Sequence, residues 1–167
     1  MELNNNSMDR RRNLKICFIG GRQAGIVGML TILSKNAHII SAVSYSDDLT
    51  NVLKNFEIPV YKSIHDKDFI KDLSASDLLF SVHGKEIVTP DLLGLPRFGC
   101  INVHPYLYKY KGAHPVGRAL KEKEYKASVG AHLMGGKVDE GNVLVEEFVD
   151  VAPARSAEEV YNKLYPY

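Results

Sequence analysis

Short apolar runs rich in β-forming residues alternate with segments whose apolar residues recur at helical spacing, and this alternation restricts the fold most. Leu14 to Ile19 is such a run, closing at Gly20 and Gly21, and from Ala24 to Leu33 the apolar positions take a helical period. His38 to Val43 reads as a second strand and Asp48 to Phe56 as a second helix, with Asp47 or Asp48 near its cap. A short strand at Val60 and Tyr61, a helix from Asp66 to Leu73, a strand from Leu78 to Val82 and one helical turn from Pro90 to Leu93 follow. Strands separated by helices predict a parallel sheet covered on both faces.

The second half reads differently. Gly99 to His104 is a strand with an aromatic, glycine-rich loop behind it, Pro105 to Ala113, and a helix runs from Pro115 to about Lys121. Ser128 to Met134 and Val143 to Val149 alternate as strands of an antiparallel arrangement. Pro153 breaks the chain, and Ser156 with Glu159 three residues later opens a last helix as a capping box. The expected fold is α/β: a doubly wound, mostly parallel, Rossmann-like sheet with an antiparallel strand pair at its C-terminal end. Residues 1–13 are polar and carry Arg10, Arg11 and Arg12; they read as a flexible, solvated tail, with a nucleic-acid arm as the sharper alternative. Residues 14–167 read as one catalytic domain.

Charge and composition narrow the partners. Twenty-one basic against 20 acidic residues leave a net charge of +1, which gives no global pull toward nucleic acid or anionic membrane. No apolar stretch approaches the ~20 residues that span a bilayer, and the lead has no apolar core of a signal peptide. Cys17 and Cys100 lie in apolar runs and read as buried free thiols of a reducing compartment. A cytoplasmic, soluble protein is expected.

Chemistry concentrates in two places. Gly20-Gly21-Arg22-Gln23-Ala24-Gly25 joins the first strand to the first helix, where backbone N–H groups favour an anion. The second glycine falls one position early for a dinucleotide fingerprint, and Ser44, Tyr45 and Ser46 stand where an acid should end the second strand, so nicotinamide binding is not expected. A tight turn and a phosphate contact through Gly21 and Arg22 both remain open. The second place is the stretch from Phe98 to Asp150. Asn102 and His104, two apart, point to one side of a strand at its carboxyl end, where ligands collect in open α/β sheets. Asp139, in a turn framed by Gly135, Gly136 and Gly141, can fold back toward them.

An amide, an imidazole and a carboxylate suit acyl transfer to an amine. Attack on a carbonyl carbon puts negative charge on its oxygen, and one preorganised donor there contributes on the order of 10²–10³ in rate. A carboxylate beside His104 orients its ring and supports proton shuttling. His104, His132 and Asp139 could be imagined as metal ligands, but no H-x-x-x-H or C-x-x-C spacing supports it and no metal is expected. His132 reads as a packed, hydrogen-bonded residue of its strand with a catalytic role as the alternative, and His114 as a helix cap with a substrate contact as the alternative. Tyr106, Tyr108 and Tyr110, two apart, read either as a packed loop or as one stacking side for a base or sugar.

Ile101-Asn102-Val103-His104-Pro105, Tyr110-Lys111-Gly112-Ala113-His114-Pro115, Gly130-Ala131-His132-Leu133-Met134 and Val138-Asp139-Glu140-Gly141 occur in this order. The series resembles the formyltransferases that use 10-formyltetrahydrofolate, a family that includes methionyl-tRNA, glycinamide ribonucleotide and nucleotide-sugar formyltransferases. The resemblance implies that Asn102, His104 and Asp139 are catalytic. It also implies that Gly84, Lys85, Glu86, Ile87 and Val88, with Met134, Gly135, Gly136, Lys137 and Val138, line a folate cleft. Gly21, Arg22, Tyr106, Tyr110, Lys111, Gly112 and His114 are the substrate-binding candidates.

Two departures bear on the acceptor. The loop reads Tyr106-Leu107-Tyr108-Lys109 where methionyl-tRNA formyltransferases usually have Ser-Leu-Leu-Pro, and the sequence stops at Tyr167, before the barrel that helps those enzymes hold tRNA. The expected acceptor is therefore a nucleotide-linked amino sugar, with no nucleic-acid or membrane partner. Alternatives are glycinamide ribonucleotide transfer, hydrolysis of the formylfolate, and a non-catalytic folate- or nucleotide-binding module. Val160 and Leu164, apolar at i and i+4 on the last helix, fit a docking face or a homodimer face.

Overall fold

The computed structural model describes residues 13–35 and 37–167. The tail read at residues 1–13 falls, apart from Asn13, outside the described residues. Seven strands form one sheet in the order β3-β2-β1-β4-β5-β6-β7. They are β1 (Lys15–Gly20), β2 (His38–Ser44), β3 (Val60–Tyr61), β4 (Leu78–Val82), β5 (Cys100–Pro105), β6 (Lys126–Leu133) and β7 (Val143–Asp150). The first five run parallel, and β6 and β7 are antiparallel additions beside β5.

Successive residues of β1 face opposite sides of the sheet, and each side has its own core. Ile16 and Phe18 pack with Met29 and Ile32 of α1 (Arg22–Ser34) and Leu49 and Leu53 of α2 (Asp47–Asn55). Cys17 and Ile19 pack with Phe69 and Leu73 of α3 (Lys67–Ser74) and Leu92 of α4 (Pro90–Leu93). Buried on both faces, β1 reads as an uninterrupted apolar run, as expected of a central parallel strand. A third core joins Val116 and Ala119 of α5 (Pro115–Lys121) to Val160 and Leu164 of α6 (Ala157–Leu164) under β6 and β7. Val160 is 0% and Leu164 3% exposed, so this apolar pair docks α6 onto its own sheet and presents no dimer face.

The caps of α3 and α6 follow the sequence with one change. Asp66 accepts from the Asp68 amide at the start of α3, and Ser156 accepts from the Glu159 amide at the start of α6. Each such cap stabilises its helix by about 1 kcal/mol. The return half of the α6 capping box is displaced by one residue: the Glu159 carboxylate accepts from the Arg155 amide instead of from Ser156. Among the described residues, no helix is long and apolar enough to cross a membrane.

Candidate active site

The register of β5 on its neighbours sets the site. Val82, the last residue of β4, pairs with Val103, so His83 follows β4 beside His104. On the other side Asn102 lies opposite His132 and His104 opposite Gly130. Directly opposed side chains share a face of the sheet, which brings the Asn102 amide and the His132 ring together. Gly130 leaves the place beside His104 to Leu107: a Cβ there would come within 2.5 Å of that side chain.

Asp139 reaches this face from the turn between β6 and β7. Its backbone is left-handed at φ 55°, and its side chain is buried at 8% exposure. Gly141 sets how closely the turn approaches, because a Cβ there would lie 1.6 Å from the Leu133 carbonyl oxygen. Gly135 and Gly136 meet no such obstacle, so among the framing glycines the steric need falls on Gly141.

Both Asp139 oxygens are occupied. Oδ2 lies 3.0 Å from His104 Nε2 and accepts from the Gly112 amide at 2.7 Å. Oδ1 accepts from Asn102 Nδ2 at 3.3 Å and lies 3.3 Å from His132 Nε2. Burial alone would push this carboxyl up, but the hydrogen bond from His104, the Gly112 amide and the nearby imidazoles bring it down to about 2. Asp139 is therefore an anion at neutral pH.

The two imidazoles are oriented differently. His104 Nε2 lies 3.0 Å from the carboxylate and 3.2 Å from the Gly112 carbonyl oxygen. Both neighbours only accept, so Nε2 carries the ring proton, and Nδ1 is a buried polar atom without a partner among the described residues. With the proton on Nε2, that nitrogen presents a lone pair. His132 donates from Nδ1 to the Leu133 carbonyl oxygen at 2.9 Å, leaving Nε2 to face Asn102 Nδ2 at 3.3 Å. A bulge in the pairing with β7 falls between Ala131 and His132, a device that re-aims side chains beside active sites.

The structure thus brings Asn102, His104 and Asp139 together, and it adds His132 to them. That residue is packed, at 1% exposure, as expected for its strand, yet it also touches two members of the cluster. Gly112, read as a substrate contact, instead commits its N–H to Asp139 and its C=O to His104, with a positive φ of 77°. Lys111 turns its carbonyl to the Arg118 guanidinium. His114 is exposed and left-handed ahead of α5, and its side chain makes no capping hydrogen bond, contrary to the capping role read for it.

The tyrosine loop does not present a stacking side. Tyr106 is 0% and Tyr110 4% exposed, both inside the third core, with hydroxyls on the Glu124 carbonyl and the Glu122 carboxylate. The segment is a turn, closed by the Tyr110 amide on the Tyr106 carbonyl, so spacing by two does not put the rings on one side. Tyr108 is held to β6 and β7 through the Lys126 carbonyl, the Glu146 carboxylate and the Phe148 ring.

At the first glycine turn the amides are engaged: Gly21 donates to the Val82 carbonyl and Arg22 to the Ser46 hydroxyl. Those two N–H groups are not free for a phosphate. The Arg22 side chain is exposed, and its charge reaches His83, Tyr161 and Tyr165. The His83 ring stands 6.1 Å from Tyr161, which stacks on Tyr165 at 6.3 Å. Burial first, and then Arg22 and Lys85, push the His83 imidazole below its usual value.

Of the segments read as a folate cleft, 84–88 turns the Glu86 side chain away, onto Tyr45, Ser63 and Ile64, and leaves Ile87 68% exposed. In 134–138, Met134 donates to the Cys100 carbonyl, Val138 is 53% exposed and Lys137 pairs with Glu140 at 3.4 Å on the outside.

Residues 31–166 match the model of a protein family described as formyl transferase. The methionyl-tRNA formyltransferase of Ehrlichia ruminantium (strain Gardel) is 25% identical over 170 residues, covering 90% of this chain and 56% of that protein. The chain spans about half the length of the curated methionyl-tRNA formyltransferases of this kind. Among solved structures, glycinamide ribonucleotide transformylase 1 from Geobacillus kaustophilus superposes with a TM-score of 0.77 at 15% identity, covering 93% of this chain and 92% of that one. The sugar 3N-formyl transferase WlaRD, solved in the presence of dTDP and 5-N-formyl-THF, superposes with a TM-score of 0.71 at 18% identity, covering 93% and 59%. At such identities the superpositions establish a shared fold.

Proposed function

The chain belongs to the formyl transferase family, and on that premise we propose that it moves the formyl group of 10-formyltetrahydrofolate onto the amine of a nucleotide-linked amino sugar. The observation that carries the reading is the convergence of Asn102, His104 and Asp139 at the carboxyl edge of the sheet, with His104 Nδ1 unpartnered. The folate lies between segments 84–88 and 134–138, which offer backbone groups and the exposed side chains of Ile87 and Val138.

In the reaction the amine lone pair forms a bond to the formyl carbon, and the carbonyl electrons move onto oxygen. Asn102 Nδ2 holds its two neighbours at 3.3 Å, the long end of a hydrogen bond, so one N–H turns to the oxyanion at small cost. His104 Nδ1 takes the proton from the attacking nitrogen and returns it to N10 of the folate as the C–N10 bond breaks. Asp139, ionised throughout, keeps the Nε2 proton in place and stabilises the imidazolium. The products are the formamide and tetrahydrofolate, and no metal enters any step.

Support for a nucleotide acceptor comes from beside His104. Arg22 supplies a cation, and His83, Tyr161 and Tyr165 supply ring faces, all near the carboxyl ends of β1 and β4. This cluster takes the role the tyrosine loop lacks. Cytoplasmic residence fits the two free thiols, which burial pushes up to about 11 at Cys17 and about 12 at Cys100, leaving them protonated and inert.

The test supplies 10-formyltetrahydrofolate with dTDP- and UDP-amino sugars, with glycinamide ribonucleotide, and with no amine, following release of tetrahydrofolate. Turnover only with an amino sugar is expected. Turnover with glycinamide ribonucleotide reassigns the acceptor, release of formate without an amine indicates a hydrolase, and folate binding without turnover indicates a binding module.

A further inference from the structure

One half-buried carboxylate at the cleft takes no part in this mechanism. Glu86 accepts from the Tyr45 hydroxyl at 2.5 Å and the Ile64 amide at 3.2 Å through Oε2, and from the Ser63 hydroxyl at 2.6 Å through Oε1. The three donors come from the loops that follow β2 and β3. Tyr45 is tied in turn to the end of β1, its amide donating to the Gly20 carbonyl. A single side chain therefore joins the segment after β4 to the carboxyl ends of β2 and β3, and through Tyr45 to that of β1.

The same segment is pinned twice more. At Gly84 a Cβ would stand 2.9 Å from Ser81 Oγ and 3.3 Å from Ile19 Cγ2, so its backbone lies close on the sheet. Val88 packs into the core that holds Cys17 and Ile19. With Glu86 turned inward, its neighbours Lys85 and Ile87 are exposed. None of these three donors exchanges a proton readily near neutral pH, so this acid is no general base.

We infer that Glu86 is a positioning residue for the formyl donor: by binding Tyr45, Ser63 and Ile64 it fixes segment 84–88 in the shape that receives the folate. The inference rests on the proposed folate cleft. A segment shaped before its ligand arrives binds without the cost of ordering, so loosening it weakens folate binding and leaves the chemical step unchanged. Weakening one hydrogen bond to a charged acceptor is worth roughly tenfold or more in an equilibrium constant.

The test measures 5-formyltetrahydrofolate binding by calorimetry, with KM and kcat for the formyl transfer, in the full chain and in Glu86→Gln, Tyr45→Phe and Ser63→Ala. Glu86→Gln should weaken folate binding and raise the KM for 10-formyltetrahydrofolate roughly tenfold, with kcat and the acceptor KM within about twofold. Tyr45→Phe should weaken binding in the same direction by less, and should add little in a Glu86→Gln background, because both act through one contact. Equal folate affinity in wild type and Glu86→Gln overturns the inference and leaves the proposed function standing. So does an equal loss in kcat and both KM values, the mark of general destabilisation. Wild type that binds no folate overturns the proposed cleft itself.

Discussion

Asp139 in the β6–β7 turn and Glu86 after β4 are both carboxylates held below the usual range, and their partners differ in kind. Burial opposes ionisation at each and hydrogen bonds overcome it. Asp139 faces two imidazoles, an amide and a backbone N–H, whereas Glu86 faces two hydroxyls and a backbone N–H. An imidazole changes protonation near neutral pH, so charge held beside it can assist a proton transfer. The Tyr45 hydroxyl is driven far upward, by burial first and then by Glu86, and gives up no proton. In the proposed reaction the same group thus serves the chemistry at Asp139 and acts as a strut at Glu86, and the partners decide which.

The largest separation between them should appear in kcat. Asp139→Asn removes the charge that holds His104 and should lower kcat by roughly 10²–10⁴-fold, with the folate KM little changed. Glu86→Gln should do the reverse. Equal kcat losses in the two variants, measured at saturating substrates, would erase the distinction.

Next comes Gly141→Ala, which leaves every catalytic side chain intact. Its Cβ would sit 1.6 Å from the Leu133 carbonyl oxygen, so the turn must lift and carry Asp139 with it. A misplacement on the order of 1 Å costs roughly 10²-fold in rate, and the forced contact about 1–3 kcal/mol in stability. Gly94→Ala, outside both folate segments and with nothing within 4 Å of its Cβ, should change neither. Steady-state kinetics beside urea unfolding would read both, and an active Gly141→Ala enzyme would mean that the turn is not what places Asp139.

Acid stability gives the third measure. The Asp139 carboxyl falls from its ordinary 3.8 to about 2 on folding. A lowered value stabilises the folded state above the unfolded pKa, and that contribution is lost as pH falls from about 4 through about 2. It amounts to about 2 kcal/mol. Urea unfolding in this window should show a shallower pH dependence for Asp139→Asn than for wild type. Parallel curves would mean that Asp139 is not held as an anion by the cluster.

The parallel half of the sheet was legible because its strands are continuous apolar runs, and the pair Asn102 and His104 because side chains two apart share a face. What escaped depends on distances along the chain. Asn102 meets His132 through the β5–β6 register, which a loop of unknown path determines, and no local signal distinguishes that histidine from a packed one. Glu86 meets Tyr45 and Ser63 across 41 and 23 residues, so only its backbone role could be read. Of the two readings of the tyrosine loop the packed one holds: spacing by two suggests an extended segment, and the left-handed Tyr106 at φ 54° turns it into a closed loop.

The finest test asks whether the Asp139 side needs both imidazoles. His132 holds Asn102 Nδ2 and stands by Asp139 Oδ1 without reaching the reacting carbon, so its loss should disturb orientation and leave the proton path intact. Orienting partners of this kind are worth roughly 10–100-fold, and His132→Ala should fall at the lower end, in kcat. A glutamine carbonyl oxygen can stand where Nε2 accepts, so His132→Gln should recover part of that loss, whereas the shorter His132→Asn should not. In an Asn102→Ala background His132→Ala should cost little more, since the two act together. An undiminished cost there would give His132 a task of its own and make Asp139, unlike Glu86, an anion shared between two proton carriers.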